Sequence, residues 1–302
     1  MKYIIGTRGS KLALVQTELV IKNLKSAYPQ DEFIAKVIKT TGDMDQKRRL
    51  DEIGSKGIFV KEIEDELLDG TISMAVHSMK DMPDEPAEGL IFAKAWKRED
   101  PRDVLILKKA ESLDELPYRA VIGTGSKRRA YQISAMRPDL KIVSIRGNVD
   151  TRIRKLKEGQ LCEGEILDGI GIAAAGIKRI GRADEITQYL SCDEMIPAPA
   201  QGTLAIELKA DNLDLLEKLN ALSDEAAQES VDVERSFLKQ IGGNCHLPVA
   251  AYCDKTDKGT FRLRAMFGTE DGSRLAFTDI TDDDTEKIVE RAVEEIRRQL
   301  EK

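Results

Sequence analysis

The chain has 302 residues, of which 41% are hydrophobic and 33% are charged, and its formal net charge is −7. This length and composition indicate a folded protein of two or three domains and exclude disordered and collagen-like classes. The negative net charge argues against general nucleic-acid binding, and no apolar stretch approaches the length of a membrane span.

The N-terminal residues show no apolar core followed by a small-residue cleavage site, so no export signal is visible. The four cysteines form neither a Cys-x-x-Cys motif nor a His/Cys cluster. We therefore expect a cytoplasmic protein with reduced thiols and no metal site.

Strands and helices alternate along the first part of the chain. A strand at residues 3–6 precedes a helix at 11–27, for which Ser10 is a natural N-cap. The next predicted elements are a strand at 33–39, a long polar loop at 40–57, a helix at 59–68, a strand at 72–76 and a loop at 77–83. This alternation favours βαβ units and largely parallel sheets.

The turn after the first strand has a counterpart later in the chain. Residues 5–11 (IGTRGSK) resemble residues 122–128 (IGTGSKR), and each stretch lies between an apolar strand and a helix, the second at 127–136. Two such turns would direct two helix N-termini toward one cleft. A helix N-terminus offers unpaired N–H groups and partial positive charge, which suit carboxylates or phosphates.

The remaining elements suggest how the chain is divided. They are a strand at 141–145, a helix after the turn at 146–152, a strand at 170–176, a linker at 196–202 and a strand at 204–208, followed by a helix at 226–241, three strands and an amphipathic helix from residue 284. We expect domain 1 at 1–99 with 200–220, domain 2 at 100–199 and domain 3 at 221–302. The fold class is α/β in two hinged lobes, with a C-terminal α+β domain.

Basic side chains are concentrated in one part of this acidic chain. Residues 119–155 contain ten basic and two acidic residues. Six arginines, each predicted at or after a strand-end turn, are candidates for one anion site: Arg8, Arg128, Arg129, Arg146, Arg152 and Arg179. Arginine pairs with carboxylates through two hydrogen bonds, and so many cations would repel each other without a polyanionic ligand.

Two further features could carry chemistry. Asp81 and its neighbour Lys80 follow a strand end, where a carboxylate can stabilise a developing cation or handle a proton. Cys245 follows two glycines and an asparagine, so its loop can present a nucleophilic thiol. The other cysteines (Cys162, Cys192 and Cys253) are interpreted as buried filler.

Several ordered motifs together resemble the porphobilinogen deaminase family, over nearly the whole chain. They are GTRGSKLAL (6–14), GIFVKE (57–62), AVHSMKDMP (75–83), REDPRD (98–103), GTGSKRR (123–129), RGNVDTR (146–152), AQG (200–202) and GNCHLP (243–248). The resemblance implies two lobes like those of type II periplasmic binding proteins, and a third domain that carries a cofactor cysteine. It also implies a monomeric transferase that acts on porphobilinogen and binds neither nucleic acid nor membrane.

The resemblance assigns roles to individual residues. It implies that Cys245 carries a dipyrromethane cofactor as a thioether, and that Asp81 stabilises the cation formed as ammonia leaves. Phe59 would lie near the substrate, and Lys56 would belong to a lid. The acetate and propionate groups would be held by Arg8, Ser10, Lys80, Ser126, Arg128, Arg129, Arg146, Arg152 and Arg179.

Three positions depart from the family pattern. Glu52 stands where the family often has lysine, and Asn244 stands where it usually has a second glycine. Residues 161–166 resemble a short insertion, expected as a surface loop.

Two other functions remain open at this point. A two-lobed anion-binding protein without catalysis explains the turns and the arginines, but it gives no role to Cys245. A thiol hydrolase or acyltransferase would use Cys245 only transiently, and it predicts no permanent adduct.

Overall fold

The computed structural model describes residues 1–40, 60–243 and 247–301. Its residue contacts divide the chain into two compact units. Unit 1 comprises Met1–Arg98 and Thr203–Gln228, and unit 2 comprises Glu99–Gly202 and Glu229–Lys302. The chain therefore leaves unit 1 before residue 100 and returns after the predicted linker at 196–202.

The regular elements of the described residues are named here in chain order. The strands are β1 (Lys2–Arg8), β2 (Glu32–Ile38), β3 (Met74–Ser78), β4 (Leu90–Phe92), β5 (Asp103–Leu107), β6 (Val121–Gly123), β7 (Lys141–Val143), β8 (Leu161–Cys162), β9 (Glu165–Ile166), β10 (Gly169–Ala173), β11 (Gln188–Leu190), β12 (Leu204–Lys209), β13 (Val249–Lys255), β14 (Phe261–Gly268) and β15 (Leu275–Asp282). The α-helices are α1 (Lys11–Ala27), α2 (Lys61–Leu68), α3 (Lys127–Met136), α4 (Val149–Glu158), α5 (Ala174–Arg179), α6 (Leu213–Asn220), α7 (Glu225–Ile241) and α8 (Thr285–Leu300).

Unit 1 is built on a five-stranded sheet with the order β2-β1-β3-β12-β4. Strands β2, β1 and β3 are parallel, whereas β12 is antiparallel to both of its neighbours. Apolar side chains of the sheet pack with those of α1 and α6 in one core, which includes the fully buried Ile5 and Met74. The carboxyl ends of β1 and β3 consequently lie side by side at one edge of the sheet.

Unit 2 contains a second five-stranded sheet, with the order β11-β5-β10-β6-β7. Strands β10, β6 and β7 are parallel, and β5 is antiparallel to both of its neighbours. Followed from β2 and from β7, each sheet has three parallel strands, then one reversed strand and then an edge strand. The chain order differs, because the reversed strand is the last strand of unit 1 and the first strand of unit 2. In each sheet the reversed strand is the one that the chain forms just after it crosses between units.

The C-terminal part of unit 2 is an antiparallel three-stranded sheet, β13-β14-β15, packed with α7 and α8. Helix α8 turns Ile288, Ala292 and Ile296 into this core, as its sequence periodicity predicts. Asp284 caps this helix by accepting hydrogen bonds from the N–H groups of Glu286 and Lys287. The predicted fold class, two α/β lobes followed by an α+β region, is confirmed by these three sheets.

Local patterns predicted the bounds of some elements accurately and those of others wrongly. Helices α1 and α3 begin and end at the predicted residues. The strand predicted at 170–176 is wrong in its second half, because β10 ends at Ala173 and α5 begins at Ala174. The small residues 174–176 are buried in this short helix, and apolar character alone does not separate a buried strand from a buried helix.

Residues 161–166 form a hairpin of β8 and β9, with Leu161 and Ile166 exposed. Glu163 and Gly164 make its turn with positive φ angles of 50° and 82°. The stretch therefore lies at the surface as expected, although it is regular rather than irregular.

The predicted burial of three cysteines is only partly confirmed. Cys162 and Cys253 are buried, whereas Cys192 is half-buried. Cys192 follows β11 in a short turn, where neighbouring elements cover only part of the side chain.

Candidate functional site

In unit 1 the predicted site residues lie after two neighbouring parallel strands. Arg8 ends β1 and is half-buried, and Ser10 accepts a hydrogen bond from the N–H of Ala13 at 3.3 Å as the N-cap of α1. Gln16 on this helix donates to Ser78 Oγ, at the end of β3, at 2.9 Å. This bond joins α1 to the end of β3, which precedes Asp81.

Lys80 and Asp81 follow β3 directly, in a single 3₁₀ turn (Met79–Asp81). Strand β3 ends two residues later than predicted, so the turn is shorter than the expected loop. The turn is anchored from inside by the buried Met79, whose N–H donates to the carbonyl of Thr203 at 3.0 Å. Lys80 is half-buried and Asp81 is exposed, so the carboxylate stands on a fixed turn and is open to ligands.

Unit 2 repeats this arrangement after β6. The turn at 123–126 leads into α3, and Ser126 Oγ accepts a hydrogen bond from the N–H of Arg129 at 3.4 Å. Ser10 and Ser126 thus perform the same N-capping role, which explains the echo in the sequence.

Arg128 and Arg129 lie in the first turn of α3, and both are buried. Asp103, the first residue of β5, lies between them at 1% exposure. Its Oδ2 accepts from Nη1 of Arg128 at 2.6 Å, and its Oδ1 accepts from Nε of Arg129 at 2.7 Å. We name these three residues the Asp103 cluster.

Electrostatics in the Asp103 cluster favours the charged form of the carboxylate. Burial by itself would raise the pKa of Asp103, but the charges and hydrogen bonds of the two arginines outweigh it and hold that pKa well below its usual range. One carboxylate offsets only one of two guanidinium charges, so the cluster keeps a positive charge for an acidic ligand. The sequence analysis expected the arginines to repel each other and did not identify Asp103 as their counterion. An acidic residue at the start of the apolar strand DVLIL was an indication of it.

The 196–202 segment, predicted as a linker, completes this cluster. Gln201 is fully buried, and its Nε2 donates to Asp103 Oδ1 at 3.1 Å. Its Oε1 accepts from Nη2 of Arg129 at 3.3 Å and from Nη2 of Arg128 at 3.5 Å. The carbonyl of Ile196 accepts from Nη1 of Arg128 at 2.7 Å.

Arg146 and Arg152 flank the turn that follows β7, and both are half-buried. Nε of Arg152 donates to the carbonyl of Gly147, whose φ of 109° is one that glycine adopts without strain. A Cβ placed on Gly125 would lie 3.0 Å from the carbonyl of Ile145 and 3.7 Å from Nη2 of Arg152. Glycine at 125, the exposed residue of the 123–126 turn, therefore lets this guanidinium lie close against the backbone.

Arg179 ends α5, after the neighbouring strand β10. Its Nη2 donates to the carbonyl of Gly202 at 2.6 Å, and its Nε is buried with no hydrogen-bond partner among the described residues. Burial lowers the pKa of Arg179 to about 10, so the side chain is still charged at neutral pH.

The structure thus brings the predicted residues together within each unit, at the carboxyl edge of its sheet. Three predicted residues, Lys56, Phe59 and Cys245, lie outside the described residues. The departures at Glu52 and Asn244 lie outside them as well.

Two family models match the chain in succession. Residues 3–217 match the model described as porphobilinogen deaminase, dipyromethane cofactor binding domain, and residues 228–298 match porphobilinogen deaminase, C-terminal domain. The chain belongs to the porphobilinogen deaminase family. The members are transferases, hydroxymethylbilane synthases of tetrapyrrole and haem biosynthesis, and their cofactor is a dipyrromethane.

Curated relatives cover almost the whole chain. A porphobilinogen deaminase of Lachnospira eligens is 56% identical over 288 residues, which is 95% of this chain and 96% of the relative. That of Clostridioides difficile is 51% identical over 284 residues, with coverage of 94% and 92%. The resemblance inferred from the sequence motifs is confirmed by these matches.

Solved structures show a more distant likeness. A Salmonella typhimurium periplasmic binding protein with high arginine specificity is 16% identical, covers 75% of this chain and 93% of its own, and has a TM-score of 0.41. A methionine binding protein is 14% identical, with coverage of 80% and 96% and a TM-score of 0.44. Scores this low carry no argument about function.

A search of the described helices finds none that is both long and apolar enough to cross a membrane. Within the described ranges, no group of three or more His, Cys, Asp or Glu side chains is arranged to hold a metal ion.

The described residues fit the acidic side chains of a dipyrromethane. The donor set consists mainly of guanidinium groups, which match carboxylates in charge and in hydrogen-bond geometry. Two places can receive an acidic group: the buried Nε of Arg179, which has no hydrogen-bond partner in the part of the chain that the structure describes, and the turn at the exposed Gly125 beside Arg152. Metal ligands are not part of this donor set.

Proposed function

We propose that this chain condenses four porphobilinogen molecules, head to tail and with loss of ammonia, and releases hydroxymethylbilane by hydrolysis. The observation that carries the proposal is the match of residues 3–217 and 228–298 to the two family models, in chain order. Each porphobilinogen brings two carboxylates, so a lengthening chain calls for many guanidinium groups, which the sheet edges of the two units provide.

When bound, the dipyrromethane supplies the nucleophilic carbon of its terminal pyrrole and anchors the growing product to Cys245. Asp81 is the catalytic residue of the proposal. Its carboxylate accepts hydrogen bonds from pyrrole N–H groups and stabilises the cationic azafulvene that the substrate becomes as ammonia leaves. The exposed position of Asp81 on a fixed turn supports this role.

Cationic and hydroxyl side chains hold the acetate and propionate groups. Arg8, Ser10 and Lys80 do so in unit 1, and Ser126, Arg128, Arg129, Arg146, Arg152 and Arg179 do so in unit 2. Phe59 contacts the substrate, and Lys56 belongs to a lid. Arginine keeps its charge when desolvated, which supports the assignment of the buried members.

We also propose a division of the chain into three domains. Residues 1–99 with 200–220 form domain 1, residues 100–199 form domain 2 and residues 221–302 form domain 3. The protein works as a cytoplasmic monomer, without nucleic acid or membrane as partner.

The first test measures the mass of the denatured protein. We expect the purified active chain to exceed its sequence mass by two pyrrole units, and Cys245→Ala to lose this increment because its thioether cannot form. Cys253→Ala is the matched control, since Cys253 is buried in the C-terminal core and should leave the increment in place. A purified wild type of unmodified mass would overturn the proposal, because both a receptor and a thiol hydrolase predict that no adduct persists.

The second test concerns Asp81. Asp81→Asn keeps the size of the side chain but removes its charge, so we expect turnover to fall by about 100-fold or more, as on loss of other transition-state charge partners. The melting temperature should stay near that of wild type because the side chain is exposed. Asp84→Asn is the control in the same loop, and it should turn over normally. Wild-type turnover by Asp81→Asn would remove this carboxylate from the mechanism.

A further inference from the structure

Glu234 is a fully buried acid on α7 to which the family motifs give no role. Its Oε2 accepts a hydrogen bond from the N–H of Ala200 at 2.6 Å. Its Oε1 accepts a hydrogen bond from the N–H of Cys253, on β13, at 2.9 Å. One carboxylate therefore joins α7 to the 196–202 segment and to the C-terminal sheet.

Ala200 has an unusual backbone for a residue with a side chain. Its φ is +59°, in the left-handed region, and the residue is fully buried. A left-handed backbone is unfavourable for a residue other than glycine, and it persists where its surroundings hold it. The short hydrogen bond to the Glu234 carboxylate is one such restraint, and a charged acceptor makes it stronger than a neutral one would.

The 196–202 segment contacts three of the six predicted arginines. The Ile196 carbonyl and the Gln201 side chain bond to Arg128, and Gln201 also bonds to Arg129. The Gly202 carbonyl accepts from Arg179 at 2.6 Å. Gln201 and Gly202 directly follow Ala200, so a change in the Ala200 backbone would move the partners of all three guanidinium groups.

The same helix leads to the proposed cofactor cysteine. Helix α7 ends at Ile241, four residues before Cys245 in the chain. Glu234 lies seven residues before that end, which is about two helical turns, or ~10 Å. One rigid element thus connects the restraint on Ala200 with the start of the cysteine loop.

We propose that Glu234 is a positioning residue for the carboxylate-binding arginines. By holding Ala200 left-handed, it sets the course of the 196–202 segment, and this segment places Arg128, Arg129 and Arg179. The inference rests on the proposed function, because it assumes that these arginines bind acidic groups of the substrate and the growing chain.

The experiment compares Glu234→Gln with the double variant Glu234→Gln/Ala200→Gly. Glutamine has one acceptor oxygen, so one of the two N–H groups loses its partner. We expect KM for porphobilinogen to rise about tenfold, the effect of losing one hydrogen bond to a charged group, with kcat within about twofold. Glycine adopts the left-handed region without a Cβ penalty, so Ala200→Gly should restore most of the lost affinity.

A matched control separates this effect from general stabilisation. Arg119 also has a positive φ, +62°, and it is exposed in a turn outside the site. Arg119→Gly relieves the same kind of backbone strain, and in the Glu234→Gln background it should leave the raised KM unchanged. If Glu234→Gln does not fold, Glu234→Asp, which keeps the charge but shortens the side chain, takes its place.

Four results would overturn the inference. They are an unchanged KM in Glu234→Gln, a loss of kcat alone as expected from a smaller folded fraction, a raised KM that Ala200→Gly does not restore, and a rescue by Arg119→Gly equal to that by Ala200→Gly. Intact mass is measured on every sample. A wild type without the pyrrole increment would refute the proposed function instead, whereas a modified wild type with an unrescued variant would refute only the role of Glu234.

Discussion

Asp103 illustrates how a single residue controls the charge of the site. Its carboxylate is buried but stays ionised, because two guanidinium groups outweigh the cost of removing it from water. The arginines in turn need this carboxylate, since two adjacent buried cations repel each other. The cluster is therefore part of the folded structure as well as of the proposed binding site.

We expect Asp103→Asn to lower the free energy of unfolding by about 3–5 kcal/mol near neutral pH, since it leaves two buried guanidinium groups without their carboxylate. The pKa of Asp103 is lower in the folded state than its unfolded value near 3.8. Its contribution is thus fully present above that value and is lost as the pH falls below it. Urea unfolding from neutral pH to below about pH 4 should show the two proteins converging in acid.

The control for this measurement is Asp139→Asn. Asp139 also pairs with a guanidinium group, that of Arg137 at 2.7 Å, but its side chain is 23% exposed, against 1% for Asp103. Its loss should change the unfolding free energy far less, because water replaces the partner. Equal effects of the two substitutions would contradict the importance of burial at Asp103.

At the scale of elements, the N-termini of α1 and α3 determine the orientation of the turns that precede these two helices. Each helix begins at a serine whose hydroxyl accepts a backbone N–H, Ser10 for α1 and Ser126 for α3. The proposal also gives each hydroxyl a carboxylate to bind. Capping and binding are different roles, and substitutions can separate them.

We expect Ser126→Ala to destabilise the protein by about 1 kcal/mol, and Ser126→Gly by only a few tenths, because glycine is a better N-cap than alanine. If the hydroxyl binds a carboxylate, both variants should raise KM for porphobilinogen equally. Thermal unfolding and steady-state kinetics on the same samples make the comparison. A glycine variant with wild-type KM would show that Ser126 acts as a cap alone.

The accuracy of the predicted elements depended on the kind of signal. Helix α1 was predicted accurately because a capping serine and an apolar periodicity mark it, and α3 because the turn before it resembles the turn before α1. The boundary between β10 and α5 was predicted wrongly, because residues 170–176 are small and apolar and fit both structures. The residue at which the strand ends and the helix begins depends on the pairing of β10 with β5 and β6, which the local sequence does not reveal.

At the scale of the whole molecule, each five-stranded sheet places one reversed strand between an edge strand and three parallel strands. The reversed strands, β12 and β5, follow the two points at which the chain changes units. The sequence echo at residues 5–11 and 122–128 lies at equivalent places, after the second strand from one end of each sheet. The repeat of a short motif therefore reflects a repeat of topology.

The sequence by itself determined the family, the fold class and the identity of the candidate residues. Ordered motifs, strand and helix periodicities and capping residues are local, so they can be read from the chain without its fold.

Only the tertiary structure determined which polar and charged side chains contact each other. Asp103 pairs with arginines 25 and 26 residues away, and Gln201 reaches Asp103 across 98 residues. The hydrogen bond from the left-handed Ala200 to Glu234 likewise joins residues that are 34 apart in the chain. Sheet closure and helix packing bring these groups together, and the free energy of burying a charge depends on that final geometry, which no local pattern encodes.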